Sequence, residues 1–352
     1  MMTQRRVKTV SRKAFFRGLV AGAAVLALAA CASGPSTSSP SEPGTSESST
    51  GQSSGSGDPI RLGYQTNIWG MPVHAALEGG FIDDAGVTVE ATPMVQGRQI
   101  RDLIVAGQMD VGTFAGPTLI GGMLAGDVVA VGLVAETGGT VGIAAGADSG
   151  ITSIEQLRGK KIASESGSSI EAAGLAYLES VGLTTDDFEL LNVRGDNMVA
   201  ALARGAVDAM IDMEPYIASG VNQGIAVKLV DFGEFDPMPV FVGMSRSFIE
   251  RDRPAAVGFL RGLAASAEAW NADPSAANAN ILAFYESTGF KADLSVIEAA
   301  SAGLRVQVEM RPEIAEYLEA LAAKQLEAGQ IEEVPDFSKT IDTSLLDEAL
   351  NS

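Results

Sequence analysis

The sequence predicts an α/β protein whose folded part consists of two similar lobes. From residue 60 to residue 245, short apolar runs alternate with stretches of helical periodicity, which is typical of mainly parallel strands connected by helices. About 290 residues follow a polar segment that ends near residue 58, and this is more than one ordinary core accommodates. One pattern of strand, glycine turn, helix and strand also occurs twice, 98 residues apart.

The predicted strands are short apolar runs bounded by turn residues. They are Ile60–Gln65, Val87–Met94, Asp110–Phe114, Val128–Ala135, Val141–Ala145, Lys161–Ser164, Glu189–Val193, Asp208–Asp212, Ala226–Val230 and Val240–Ser245. Between them, helical periodicity predicts Pro72–Glu78, Arg98–Ala106, Ile170–Val181 and Met198–Arg204.

The repeat consists of matched positions in two segments of strand, glycine turn, helix and strand, 98 residues apart. The matched positions are Val95-Gln96-Gly97 and Val193-Arg194-Gly195, Gly107 and Gly205, Asp110 and Asp208, and Pro117 and Pro215. Many strand–helix–strand units share such punctuation, so chance similarity is the alternative. The constant offset favours two related lobes.

Beyond Asp252 the chain is predicted to be helical almost to its end, with helices that cover the outside of the lobes. These helices are Arg253–Ala272, Asp293–Val308 and Pro312–Ala328. The predicted division assigns residues 60–140 and 246–352 to one lobe and residues 141–245 to the other. More than one crossing of the chain then joins them.

The N-terminal segment predicts export. Residues 1–30 contain six Lys or Arg and no acidic residue, and an apolar run from Gly18 to Ala30 is too short to span a bilayer. The run ends in Leu28-Ala29-Ala30-Cys31, which resembles the bacterial lipobox, so Cys31 is the predicted lipidation site. A plain secretory signal with an incidental cysteine is the alternative. Ser11–Arg17 resembles a twin-arginine signal with Lys13 in place of the second arginine, so the export route stays open.

The composition of the mature chain limits its partners. Residues 32–58 are Ser, Gly, Pro and Thr with almost nothing apolar, so residues 31–59 are predicted to be a lipidated cysteine and a disordered tether. Removal of residues 1–30 leaves 18 Lys and Arg against 44 Asp and Glu, a formal charge of −26. Such a surface repels nucleic acid and anionic lipid. One cysteine and one histidine, His74, exclude disulfides and predict no metal site and no cofactor.

Candidate site residues follow the predicted strands, because ligands bind beyond the carboxyl ends of parallel strands, where helix N-termini present free N–H groups. Trp69 lies in a polar, glycine-flanked loop, which favours ligand stacking over a place in the core. Ser166 and Ser168 enter a predicted helix, where capping alone is the alternative. The candidates in these loops are Gln65, Asn67, Trp69, Phe114, Ala115, Ser166, Ser168, Arg194, Asp212 and Glu214.

The residue inventory argues against an enzyme. His74 is predicted to lie partly buried on a helix, so no Ser/His/Asp set can be assembled, and the sequence contains neither a phosphate-binding G-x-x-x-x-G-K-[ST] loop nor H-E-x-x-H. Asp212 and Glu214 could perform acid/base chemistry. However, alternate residues of a strand point to opposite faces.

Taken in order, several short strings resemble the periplasmic solute-binding proteins of ABC importers, in the group that handles aliphatic sulfonates, taurine, nitrate and thiamine-pyrimidine precursors. The strings are Ile60–Tyr64, Ala106–Gly112, Ile154–Ala163, Arg204–Ala209 followed by Glu214-Pro215-Tyr216, Val334–Ser338 and Ile341–Ser344. Each is weak alone, but together they extend over some 280 residues.

The resemblance implies a two-lobed, type II periplasmic-binding-protein fold with two β-crossings at the hinge and a helical C-terminal region. It adds Thr137 to the candidate site and supports the candidates named above, except Gln65. It also implies transmembrane permease subunits and their ATPase as partners. Together with Cys31, it implies a location at the outer face of the bacterial cytoplasmic membrane, with the lipid anchor as the only membrane contact.

The identity of the ligand stays open at this point. A sulfonate-, taurine- or nitrate-like anion would suit Arg194, the serine loop and the helix N-termini. A pyrimidine-like or other heteroaromatic ligand would use Trp69 and Phe114 for stacking and Glu165, Asp212 or Glu214 for its N–H groups. A solute-sensing lipoprotein for a membrane receptor is a further alternative. An enzyme of pyrimidine metabolism on this fold would need a histidine-rich site, which the sequence lacks.

Overall fold

A computed structural model of the chain describes residues 57–352. The predicted signal peptide, Cys31 and nearly all of the predicted tether lie outside the described residues and stay predictions. Within residues 57–352, no helix is both long and apolar enough to cross a bilayer.

The described residues form two mixed β-sheets surrounded by helices, which confirms the predicted α/β class. The strands are β1 (Ile60–Gln65), β2 (Val89–Met94), β3 (Val111–Ala115), β4 (Val128–Glu136), β5 (Val141–Gly146), β6 (Lys161–Ser164), β7 (Glu189–Asn192), β8 (Ala209–Met213), β9 (Ala226–Asp231), β10 (Pro239–Ser245) and β11 (Arg305–Val306). Each agrees with its predicted strand to within about two residues, except β11, which the sequence did not indicate.

The helices pack on the outside of the sheets and along the connections between strands. They are α1 (Met71–Glu78), α2 (Phe81–Asp84), α3 (Gly97–Val105), α4 (Gly116–Leu124), α5 (Ser169–Ser180), α6 (Gly195–Ala203), α7 (Tyr216–Asn222), α8 (Arg246–Arg251), α9 (Arg253–Ala272), α10 (Ser275–Ser287), α11 (Leu294–Ser301), α12 (Pro312–Glu327), α13 (Phe337–Thr340) and α14 (Ser344–Leu350). Short 3₁₀ turns cover Ile68–Gly70, Gly138–Thr140, Ala147–Ser149 and Ile154–Leu157.

The two sheets have the same strand order. The first sheet runs β2-β1-β3-β10-β4-β11 and the second runs β7-β6-β8-β5-β9. In each, three strands are parallel and the fourth is antiparallel: β10 pairs antiparallel with β3, and β5 pairs antiparallel with β8. The antiparallel strand is in both cases the one that enters from the other sheet.

The 98-residue repeat is structural. Helix α3 begins at Gly97 and α6 at Gly195, and strands β3 and β8 begin at residues 111 and 209. Asp110 and Asp208 have the same role, because each accepts a hydrogen bond from a backbone N–H of the adjacent parallel strand, that of Arg61 in β1 at 3.0 Å and that of Lys161 in β6 at 2.8 Å. The unit β2-α3-β3 is therefore repeated as β7-α6-β8.

Three chain segments meet where the sheets are joined. Residues 137–140 connect β4 to β5, residues 232–238 connect β9 to β10, and residues 302–304 connect α11 to β11. The Thr137 N–H donates to the Pro237 carbonyl oxygen at 2.9 Å. A Cβ atom on Gly303 would overlap the carbonyl oxygen of Gly139, so glycine at this contact lets two backbones touch.

Two expectations about the chain need correction. The predicted helix Asp293–Val308 ends at Ser301, because the chain turns at Gly303 to pack against Gly139 and then forms β11. The predicted lobe boundary at residue 245 grouped β10 with the second lobe, whereas β10 pairs with β3 and β4 in the first sheet. We propose that the second lobe ends within residues 232–238.

Candidate ligand-binding site

A cavity of about 1000 Å³ lies between loops of both sheets. The first sheet contributes residues that follow β1 and β2, namely Thr66, Asn67 and Val95. The second sheet contributes the segments that follow β6, β7 and β8, and the turn 288–290 after α10 contributes a further wall. The cavity thus lies beyond the carboxyl ends of strands, as expected for an open α/β sheet.

Five predicted site residues line this cavity: Asn67, Ser168, Arg194, Asp212 and Glu214. Asn67 begins a 3₁₀ turn, and its Oδ1 accepts a hydrogen bond from the Trp69 N–H at 3.2 Å. Ser168 caps α5, with its Oγ accepting from the Glu171 N–H at 3.0 Å. Both side chains therefore shape loops as well as border the cavity.

The N-terminus of α6 faces the cavity, but carboxylates already surround it. The Gly195 N–H donates to Oε2 of Glu165 at 3.4 Å. Arg194 precedes the helix with 75% of its side chain exposed, and its Nη2 lies 3.5 Å from Oδ2 of Asp196. Arg194 is the only Lys or Arg among the residues that line this cavity, and it is partly neutralised by its neighbour.

Asp212, near the end of β8, is 4% exposed. Its Oδ1 accepts from the Met213 N–H at 2.8 Å, while Oδ2 has no hydrogen-bond partner among residues 57–352. Burial raises the pKa of this carboxyl to about 8, and the nearby carboxylates of Glu214, Glu165 and Asp196 add to the rise. In the ligand-free protein the Asp212 carboxyl is therefore largely protonated at neutral pH, and a positively charged ligand group beside it would lower its pKa and favour the carboxylate.

Glu214 is also buried, but its oxygens have protein partners. Oε2 accepts from the Ala218 N–H at 2.7 Å in the first turn of α7, and Oε1 lies 3.7 Å from Nζ of Lys228. Burial raises the pKa of Glu214. Since its contacts hold the start of α7, Glu214 has a structural role beside any ligand contact.

An aromatic wall borders the same cavity, and two of its three members, Tyr285 and Phe290, were not assigned to the site from the sequence. It consists of Tyr216, Tyr285 and Phe290. The Phe290 ring meets Tyr216 edge-on at 5.8 Å and Tyr285 at 5.6 Å between centroids. The Tyr285 hydroxyl is buried without a hydrogen-bond partner in the part of the chain that the structure describes. Nothing local in the sequence indicates that the turn after α10 brings Phe290 against Tyr216 of α7.

The other aromatic candidates lie away from the cavity in this conformation. Trp69 is 5% exposed, and its indole N–H donates to Oγ1 of Thr140, so the ring packs between the first loop and the chain crossing. Phe114 is fully buried in the core of the first sheet, where its ring packs against Gly112 and Gly243. The structure gives no support to ligand stacking by either ring.

The remaining candidates also have local roles. Thr137 is buried at the crossing and donates from Oγ1 to the Met238 carbonyl oxygen at 2.7 Å. Gln65 is buried beside Gly97, and its Oε1 has no partner among the residues described. Ala115 is half-buried before α4, and the exposed Ser166 donates its N–H to Asn192. Whether these residues contact a ligand stays a prediction.

The cavity offers polar and aromatic contacts. Among residues 57–352, no cluster of His, Cys, Asp and Glu has the arrangement of a metal site. His74 lies buried on α1, as predicted, where Nδ1 is 3.2 Å from the Tyr64 hydroxyl, and burial lowers its pKa.

The NMT1/THI5-like family model matches residues 67–277, which include the whole second sheet, strands β2, β3, β4 and β10 of the first sheet and most of the cavity wall. The chain belongs to the NMT1/THI5-like family. A Bacillus subtilis member of similar sequence, named for binding aliphatic sulfonates, is 28% identical over 209 residues, which are 57% of this chain. That alignment spans 62% of the relative's length.

Solved structures confirm the two-lobed fold. The periplasmic aliphatic sulphonate binding protein SsuA of Escherichia coli superposes with a TM-score of 0.68 at 20% identity, covering 82% of this chain and 92% of SsuA. A desulfurization enzyme, DszB, gives a TM-score of 0.66 at 17% identity, covering 84% of this chain and 99% of that enzyme. The same fold therefore occurs in binding proteins and in an enzyme, so the residues of the site have to decide between these two functions.

Proposed function

We propose that the chain is the extracytoplasmic solute-binding component of an ABC importer, which captures a small organic solute between its two lobes and delivers it to the permease. The observation that carries this proposal is the cavity of about 1000 Å³, which is lined by strand ends of both sheets. Its volume lies at the upper end of the range for small-molecule sites. The names of the relatives support the same role.

The mechanism follows from the way the sheets are joined. A solute that touches both walls of the cavity forms all its contacts only when the lobes are closed, so it shifts the open–closed equilibrium towards the closed form. Permease subunits that recognise the closed arrangement would then accept only loaded protein. At the crossings, the backbones of Gly139 and Gly303 touch, and the Trp69 indole donates a hydrogen bond to Thr140. These contacts support the proposal that the crossings act as a defined hinge.

Binding fits the site better than catalysis does. The single histidine lies on α1, where it contacts Tyr64 and Phe284, and it is absent from the cavity wall. Asp212 and Glu214, the candidates for acid/base chemistry, have no adjacent nucleophile such as Cys or Lys among the lining residues. We therefore propose a receptor and not an enzyme.

We further propose that the chain is exported and held at the membrane through lipid on Cys31. The lipobox-like sequence and the polar tether support this proposal. A receptor tethered beside its permease has a higher local concentration than a free one. A sensing lipoprotein would share the anchor and the cleft, and genes for a permease and an ATPase nearby would favour import over sensing.

The names of the relatives favour a sulfonate-like anion as the ligand, which Arg194 and the N-terminus of α6 would bind. The heteroaromatic alternative is favoured by a specific observation, the aromatic wall next to buried carboxyl groups. Arg194→Ala separates the two, since it should abolish binding of an anion and leave binding of a neutral heteroaromatic compound intact. Arg204→Ala, an exposed arginine outside the cavity wall, is the matched control.

A thermal-shift screen of the full chain tests the receptor function. The panel contains sulfonates, nitrate, carboxylates, pyrimidines and amines at millimolar concentration. A solute present at one hundred times its Kd stabilises the folded state by about 2.7 kcal/mol, which raises the Tm by about 4 °C for a body of this size. If no class of solute moves the Tm, the receptor function is wrong.

A further inference from the structure

One oxygen of Asp212 stands out among the buried polar atoms of the second sheet. Asp212 lines the cavity with a side chain that is 4% exposed, and no group among residues 57–352 hydrogen-bonds to its Oδ2. Buried polar atoms in folded proteins nearly always have partners, and leaving one without costs about 1–3 kcal/mol. The fold therefore maintains an open hydrogen-bonding site that points to a ligand.

The other acidic groups of the cavity already have partners. Glu165 accepts from the Gly195 N–H, Glu214 from the Ala218 N–H, and Asp196 lies beside Arg194. All four carboxyl groups nevertheless face one space in which Arg194 is the only cationic side chain. The local potential thus favours a ligand group that brings positive charge or hydrogen-bond donors.

A second unsatisfied group belongs to the aromatic wall of the same cavity. The Tyr285 hydroxyl is buried and unpartnered among the described residues, next to the rings of Phe290 and Tyr216. Aromatic faces attract cations and stack on planar heteroaromatic rings. The wall therefore fits a planar ligand whose nitrogen reaches towards Asp212.

We propose that Asp212 is a specificity-determining residue, which selects ligands that carry a nitrogen able to donate a hydrogen bond, such as a protonated amine, an amidinium or a ring N–H. This inference rests on the proposed receptor function and narrows it. A sulfonate that binds here carries such a nitrogen as well, because an anion without one meets the acidic side chains of Glu165, Asp196 and Glu214 and offers the Asp212 carboxylate no donor.

The test uses ligands of one shape and different charge. Benzamidine, benzamide and benzoate are planar and nearly isosteric, with charges of +1, 0 and −1 at neutral pH. Taurine and ethanesulfonate form a second pair, which differ by an amino group. Calorimetric titration of the full chain should give the order benzamidine, benzamide, benzoate from tightest to weakest, and taurine should bind at least tenfold more tightly than ethanesulfonate.

Two variants assign the selectivity to the residue. Asp212→Asn keeps the shape and removes the ionisable group, and should weaken benzamidine at least tenfold while changing benzoate by less than threefold or strengthening it. Tyr285→Phe removes only the buried hydroxyl of the aromatic wall and should weaken benzamide and benzamidine two- to fivefold. Asp186→Asn, an exposed carboxylate outside the cavity wall, should change no affinity.

The outcomes separate this inference from the proposed function. If ethanesulfonate or benzoate binds as tightly as its nitrogen-bearing counterpart, or if the selectivity survives in Asp212→Asn, the role of Asp212 is wrong and the receptor function stands. If neither these probes nor any solute of the wider panel binds, the receptor function fails and the inference fails with it.

Discussion

Replacement of Asp212 by asparagine should stabilise the ligand-free protein at alkaline pH. The carboxyl is buried at the cavity wall with one unpartnered oxygen, and its pKa is raised to about 8, mainly by burial. In the unfolded chain its pKa is close to 3.8. Because the folded-state value is the higher one, the contribution of this carboxyl to stability is complete below pH 4 and is lost progressively as the pH rises to 8.

The size of the effect follows from the same shift. One pKa unit corresponds to about 1.4 kcal/mol, so the whole shift corresponds to about 6 kcal/mol. Relaxation of the protein and entry of water around a buried charge lower the cost of the charged form, so we expect about 2–3 kcal/mol between pH 4.5 and pH 8.5. Asparagine does not ionise, so the free energy of unfolding of the variant should not show this loss between pH 4.5 and pH 8.5.

Urea denaturation of both proteins at pH 4.5, 6, 7 and 8.5 without ligand measures the difference. The free energy of unfolding of Asp212→Asn, relative to that of the wild type, should rise steadily up to pH 8 and then stay constant. Asp186→Asn corrects for the loss of one negative charge from a strongly acidic chain and should follow the wild type at every pH. Parallel pH profiles for Asp212→Asn and the wild type would refute the reasoning.

Three further predictions concern the frame around the site. Asp110→Asn should destabilise the protein by about 2–3 kcal/mol, because burial alone would raise the pKa of Asp110 and the hydrogen bonds from two arginines lower it to about 2 instead. In the wild type this stabilisation is complete above pH 4 and is lost as the pH falls through 2, which acid denaturation monitored by circular dichroism would show. Gly303→Ala should lower the Tm by several degrees, since its Cβ would overlap the backbone of Gly139, and an unchanged Tm would contradict that contact. Phe114→Ala should cost about 3–5 kcal/mol in urea unfolding while leaving the Kd of a bound solute unchanged, and a large change in Kd would restore the predicted ligand contact.

The sequence predicts the strands and most helices well, because the features that define them are local. Apolar runs, glycine turns and Asp110 or Asp208 at strand starts are local features, and the repeat fixes which units correspond. The loops after the strands are equally local, so Asn67, Ser168, Arg194, Asp212 and Glu214 could be assigned to the cavity before the fold was known.

The aromatic residues show where that reasoning stops. Trp69 and Phe114 lie in or next to polar loops, but the direction of each ring depends on Thr140, Gly112 and Gly243, which only the folded chain brings near. Tyr285 reaches the cavity from α10, a helix far along the chain, and no local pattern encodes that placement. Side-chain direction and long-range packing thus escape a reading of the sequence.

The central claim is that a solute closes the two lobes over the cavity. Cys31 is the only cysteine, so a Cys31→Ser background permits paired spin labels at Arg98 on α3 and at Arg204 at the end of α6. We expect a solute that raises the Tm to convert a broad distribution of label distances into a narrower one at shorter distance. An unchanged distribution under saturating solute, with binding verified by calorimetry, would contradict the account.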